Sequence, residues 1–454
     1  MAPLWDKGGA LDAVIHRFTV GDDPLWDRHL VHWDCLGSAA HARTLHRAGW
    51  LSDAELHALL RGLAEIDALD RDSKFDIPPE LEDCHTAIES YLTRVCGEAG
   101  GKIHTGRSRN DQVVTAMRLY LRDRALAWQQ LLAGFLEAAL ERMARDGETP
   151  MPGYTHMQPA MPSSVGLWLH AFVEAALEQM RATLDLLDRL DCCPLGTGAG
   201  FGAPIELDRA FTAMLLGFSR VQRSPLDAQN SRGRIETYFV RVAADVGGLL
   251  EKLAWDLILF STPEYGFFSL PEAMTTGSSI MPQKRNPDVL ELLRARAARL
   301  RSRLSELEWV AAKLPSSYHR DLQLTKAPVV RTAIDLNDML VVGTRVIAGF
   351  TLHRERLAAA VRPELYAAHH AVALARQGVP FREAYRRIAE QVRAGTLPAP
   401  SDSDAARAGR LVAGLLDELH TELKTLTDRT QAIRARIATA EAALLKEHHA
   451  VSTS

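Results

Sequence analysis

The chain has 454 residues, with 53 Lys and Arg against 57 Asp and Glu, for a formal charge of −4. That balance argues against a general nucleic-acid binder, which carries a basic excess. Apolar residues at 47% and charged residues at 24% exclude disorder as the dominant state, and no apolar run reaches the ~18–20 residues of a membrane span.

Five cysteines without a CxxC pair argue against a disulfide framework or a structural zinc site, and no metal site is nominated. The opening MAPLWDKGGA lacks the basic-then-apolar pattern of a secretory leader, so a cytoplasmic location is expected. At ~150 residues per domain the length suggests about three domains. We expect an N-terminal helical domain (1–106), a central helical bundle (107–352) and a C-terminal helical domain (353–454). A linker at 395–403, GTLPAPSDS, and a frayed tail, HHAVSTS, are expected in the last of these.

In chain order, the first hundred residues read as short helices and loops. Residues 102–113, KIHTGRSRNDQV, then crowd Lys102, His104, Arg107 and Arg109 beside Thr105, Ser108, Asn110 and Asp111. Such a donor-rich turn before a helix suits a carboxylate or phosphate, although a cap with a solvated basic face would look the same. Val114, Met117, Leu121, Ala125, Trp128, Leu132, Phe135 and Ala139 follow at spacings of three and four. That stripe predicts a long amphipathic helix, capped by Asn110 or Asp111 and closed by Gly147 and Pro150. MPGYTHMQ at 151–158 puts Thr155 and His156 after a Pro-Gly turn. A lone His is commonly structural, yet it is the side chain best suited to move a proton near neutral pH.

Further helices are expected at 163–191, 230–260, 287–313 and 325–350. For the helix at 287, Asn286 is expected as cap with Pro287 in the first helical position. Before it, GSSIMPQKRNP at 277–287 combines Gly277, Ser278 and Ser279 with Lys284 and Asn286, and Glu291 lies one turn into the helix. A Gly-flanked hydroxyl loop beside a Lys could hold an anion or close as a lid; a plain flexible loop is the alternative. Strand-like alternation is scarce, so the chain is expected to be all-α. Apolar stripes this long want partner helices, within the chain or from other copies of it. No Walker loop, Rossmann fingerprint, HExxH or GxSxG is present. The glycines of LGTGAGFG at 195–202 follow a helix end and not a strand, which rejects a nucleotide loop.

Together these segments resemble the fumarase/aspartase superfamily. GSSIMPQKRNP is similar to its signature loop, and HTGRSRNDQV at 104–113 and MPGYTHMQ resemble the motifs of argininosuccinate lyase. LEDCHTAIE at 81–89, CPLGTGAGFG at 193–202, YHRDLQ at 318–323 and GVPFREAY at 378–385 match in the same order. The resemblance implies a three-domain, all-α fold with a long central bundle. It implies a homotetramer on a twenty-helix core with each active site shared between subunits. It implies reversible release of arginine from argininosuccinate, leaving fumarate, in arginine biosynthesis and without a cofactor.

By the same resemblance, Ser278 is the base and His156 the acid, with Glu291 tuning His156 and Lys284 stabilising charge. The residue types alone would equally allow the reverse pairing. Asp23, Arg109, Asn110, Thr155, Asn286, Tyr318, Gln323 and Lys326 are implied to bind substrate, with Asp83 and His85 behind them. The chain departs from the family pattern at Asp23, where a Ser is usual, at Asn230-Ser231-Arg232-Gly233, and at Leu324-Thr325. Two other readings fit less of the sequence. An adenylosuccinate- or aspartate-type lyase does not account for HTGRSRNDQV together with YHRDLQ. A silent, crystallin-like relative would be expected to have lost residues that this chain keeps.

Overall fold

A computed structural model describes residues 12–400, 412 and 414–445. The tail HHAVSTS and residues 401–403 of the expected linker lie outside the described residues. The fold is all-α. Its centre is five long helices, Arg109–Asp146, Val165–Leu190, Arg234–Phe260, Asp288–Ala311 and Lys326–Gly349. Each lies within four residues of the boundary that its apolar spacing predicts.

Two starts differ from expectation. The first helix is capped by Ser108, which forms a reciprocal capping box with Asp111, so Asn110 is already in the first turn. The fourth begins at Asp288 after Pro287, because Asn286 is held instead by backbone pairing with Thr276. No described helix is long and apolar enough to cross a membrane.

The bundle is tied by packing at its middle. Trp128 stacks on Phe239 at 4.2 Å between ring centres, and both are fully buried. Burying side chains of this size contributes about 1.5–3 kcal/mol each. Gly343 lets two helices close up, since a Cβ there would lie 2.8 Å from Leu250. The helix Leu416–Leu444 returns across the bundle. Arg43 on the Val31–Arg47 helix holds its last carbonyl at 3.0 Å, and Arg436 reaches Asp191 at 2.6 Å.

The bundle has two chemically different ends. One gathers the starts of Arg109–Asp146, Arg234–Phe260 and Lys326–Gly349 with the end of Asp288–Ala311. Gly233 fixes this junction: its φ is +78°, and an added Cβ would meet Ala311 at 2.7 Å and Leu322 at 3.2 Å. The other end gathers Asp146 and Phe350 through Arg142 and Arg354, and Gly349 against Met274. A 24-residue helix spans ~36 Å, which separates the two. At this second end the chain makes a hairpin, Pro150–Thr155 paired antiparallel with Gln158–Ser164.

Candidate active site

At the first end lies a cavity of ≈ 280 Å³ lined by Asp23, Asp83, Arg109, Asn110, Tyr318, Gln323 and Lys326. These seven come from four distant stretches of sequence. The N-terminus of the first bundle helix presents Arg109 and Asn110, and Asp83 caps the Cys84–Cys96 helix through the Thr86 amide at 2.7 Å. The turn before Lys326–Gly349 presents Tyr318 and Gln323. Glu82, Thr86, Arg232 and Arg320 also line the cavity and were missed by sequence reasoning.

The cavity is built on ion pairs. Lys326, 4% exposed, lies 2.8 Å from Asp23 and 2.6 Å from Asp27. Burial opposes its charge, but the two carboxylates outweigh it and raise its pKa above the ordinary lysine value. Asp23 shares this one cation with Asp27. Burial, aided by the Asp27 charge, pushes Asp23 up to about 6 despite the nearby ammonium. Burial would raise Asp83 too, but Arg109, His85 and Lys326 together lower it. Asp83 therefore lines the cavity itself, while His85 is fully buried behind it, 3.2 Å from Asp34. Asp34 is held down to about 2, as His85, Arg107 and Gln112 overcome its burial. Asp27, Cys84 and His85 bring three donor atoms within 4.8 Å of one another. Of that trio, Asp27 Oδ1 already faces Lys326 at 2.6 Å, and Asp27 Oδ2 accepts the Cys84 amide N–H at 3.0 Å.

The remaining sequence-predicted residues stand at the other end. Thr155 and His156 are exposed at the hairpin tip, where Thr155 pairs with Gln158 across His156 and Met157. Both tip residues have positive φ, 53° and 61°, in a two-residue turn that normally selects Asn or Gly. Strain of this kind in non-Gly residues gathers at functional positions.

The serine loop leaves from a narrow base. Thr276 and Asn286 exchange backbone hydrogen bonds of 3.1 and 2.8 Å, and 277–285 project beyond them. Ser278 Oγ accepts the amide N–H of Met281 at 3.2 Å and of Ile280 at 3.4 Å. Two amides aimed at one hydroxyl oxygen would stabilise negative charge on it. Lys284 and Glu291 are exposed, and Asn286 Nδ2 donates to the Gly277 carbonyl at 3.2 Å. Among the described residues no hydrogen bond or ion pair joins Ser278, His156 and Glu291, and none of them lines the cavity.

The chain matches a family model described as lyase over residues 11–301. Among proteins named argininosuccinate lyase, that of Sorangium cellulosum is 48% identical over 411 residues, 89% of this chain and 94% of that protein. Those of Thermotoga neapolitana (41%; 86% and 98%) and Xanthomonas axonopodis pv. citri (42%; 95% and 99%) are similar over comparable spans. The chain belongs to the argininosuccinate lyase family, whose members are carbon–nitrogen lyases. Two solved structures share the fold. EDDS lyase in complex with formate has a TM-score of 0.80 at 23% identity, covering 97% of this chain and 96% of that one. Class II fumarase of Schistosoma mansoni has a TM-score of 0.73 at 18% identity, covering 94% and 96%.

Proposed function

We propose that the protein cleaves argininosuccinate reversibly to arginine and fumarate in the cytoplasm, and that it needs no cofactor for this. The observation that carries the reading is the convergence of Asp23, Arg109, Asn110, Tyr318, Gln323 and Lys326 on one cavity. All six were expected at the substrate from motifs scattered over three hundred residues, and relatives above 40% identity bear the corresponding name. In this reading Ser278 removes the proton next to a carboxylate. Its alkoxide is tolerable because the Ile280 and Met281 amides already point at Oγ and because loop closure excludes water. Lys284 and Asn286 stabilise the doubly charged aci-carboxylate. His156, tuned by Glu291, protonates the departing guanidino nitrogen. Thr155 binds substrate beside it.

The serine loop and the hairpin stand a helix length from the cavity of their own chain, so other copies supply them. We place the chain in a homotetramer with a twenty-helix core and shared sites. Trp255, Leu292, Trp309, Ile334 and Val341 stay exposed on the bundle helices and provide apolar surface for that association. The division into domains at 1–106, 107–352 and 353–454 belongs to the same reading. The test is ultraviolet detection of fumarate with argininosuccinate, adenylosuccinate and aspartate offered side by side. Argininosuccinate is expected to be the fastest substrate by orders of magnitude, and faster fumarate release from either of the others would refute the assignment.

A further inference from the structure

The cavity's cations are unequal. Lys326 is spent on Asp23 and Asp27. Arg109 donates to Gln112 at 2.8 Å and to Thr86 and Glu89 at 3.2 Å. Arg320 lies 3.5 Å from Glu82 and donates to the Thr19 carbonyl and to Gln323, each at 3.1 Å. Arg232 differs. Its side chain is 8% exposed and, among the described residues, has neither an ion pair nor a hydrogen bond. It lies over the Tyr318 ring at 4.8 Å. Stacking occupies the face of a guanidinium and leaves the N–H donors along its edge available.

The backbone holds Arg232 in place from both sides. Ser231 Oγ accepts from Arg118 at 2.8 Å and donates to the Ala228 carbonyl at 2.7 Å. Gly233 locks the following turn against Ala311 and Leu322. The buried Glu236 carboxylate feels the Arg232 charge, but among the described residues no hydrogen bond or ion pair joins the two, so the guanidinium's donors stay open. A well-fixed guanidinium with open donors beside a ligand cavity suits an anion from outside. We propose that Arg232 binds the α-carboxylate of the amino-acid portion of the ligand, as a bidentate pair on a guanidinium backed by Tyr318. This rests on the reading above for the identity of that portion, arginine. It changes the expected distribution of roles, because Lys326 and Gln323 already serve the protein: Gln323 Nε2 donates to the Thr19 and Val20 carbonyls at 3.0 and 3.1 Å.

The experiment compares L-arginine with agmatine, which keeps the guanidinium and lacks the carboxylate. Binding of each to the full-length protein is measured by calorimetry, for wild type and for Arg232→Gln. Wild type should prefer arginine by roughly ten- to a hundredfold, the scale of a desolvated charge pair. In Arg232→Gln the preference should collapse to within about threefold, with agmatine affinity little changed. The unliganded variant should melt close to wild type, since among the described residues the Arg232 side chain makes no hydrogen bond or ion pair and acts on the Glu236 carboxylate only at a distance. A preference that survives in Arg232→Gln, equal affinities in wild type, or a variant that melts well below wild type would each overturn the assignment. A fumarate assay on the same preparation separates the two readings. Fumarate release from argininosuccinate with an unmoved arginine preference removes Arg232 alone, whereas no release removes the substrate reading itself.

Discussion

The two ends of the bundle handle polar groups in opposite ways. At the cavity end, most charges are buried and paired before any ligand arrives: Lys326 between Asp23 and Asp27, Asp34 among His85, Arg107 and Gln112, with Arg232 as the exception. At the other end, Ser278, Lys284 and His156 sit on a narrow-based loop and a strained hairpin tip, where few protein groups hold them. The first arrangement suits selection of a substrate, because fixed charges define a shape and a charge pattern. The second suits groups that must be delivered to a substrate held elsewhere. With the roles proposed above, the difference teaches that stability and chemistry are stored apart in this chain, and that variants at the two ends should fail in different ways.

The largest effect is expected from Ser278→Ala. If Ser278 is the base, turnover should fall by about three orders of magnitude or more. Melting temperature and oligomer mass should hold, because among the described residues the hydroxyl bonds only to amides of its own loop. Mixed with His156→Asn, unfolded and refolded together, the pair should recover roughly a quarter of wild-type sites if the loop and the hairpin come from different chains. Verified hybrids without activity would place both groups in one chain and break the comparison at its chemical end.

A smaller effect of the opposite type is expected from Lys326→Met. It leaves Asp27, which is fully buried, facing Asp23 with no cation. Removing one partner of such a cluster costs about 3–5 kcal/mol, read as a lowered melting temperature. Adding Asp27→Leu should recover much of that loss, since no buried carboxylate is then orphaned. An unchanged melting point in the single variant would show the cavity end to be less dependent on its ion pairs than its geometry implies.

Much of this contrast can be read from the residues, and some of it cannot. Three-and-four spacing of apolar residues marks all five bundle helices, and the family resemblance groups Asp23, Arg109, Asn110, Tyr318 and Lys326, which the fold brings to one cavity. Periodicity gives a helix its length but not its direction, so the placing of Ser278 and Lys326 at opposite ends of a bundle whose helices span ~36 Å is visible only in the fold. The hairpin is hidden because Pro150, Pro152, Pro159 and Pro162 break the alternation that announces strands. Arg232 is hidden for a third reason. Its place in the cavity wall follows from the Gly233 turn packed against Ala311 and Leu322, residues some eighty positions away.

The smallest effect is a pH dependence, and it sharpens the account of the cavity end. His41 is 2% exposed, and its Nε2–H donates to the Thr105 carbonyl at 2.9 Å, just ahead of the helix that presents Arg109. Burial first, and the Arg107 charge second, push its pKa down to about 3. An unfolded histidine titrates near 6.5. Between about 3 and 6.5 the unfolded chain therefore holds more protons than the folded one, and stability rises with pH across that window. From pH 7 to pH 5 this group alone should remove about 2 kcal/mol. Asp23 and Asp111 act in the other direction: both are pushed up to about 6, so they favour the folded state as pH falls from there toward the ordinary carboxylate range. The wild-type profile is a sum of these terms, and only a difference isolates His41. His41→Gln can still donate to the Thr105 carbonyl but cannot take up a proton. The stability gap between wild type and this variant, measured by denaturation at both pH values, should shift toward the variant by about 2 kcal/mol at pH 5. Parallel profiles would mean that His41 is protonated in the folded state, and that the helix entry beside Arg109 is more open to water than its packing indicates.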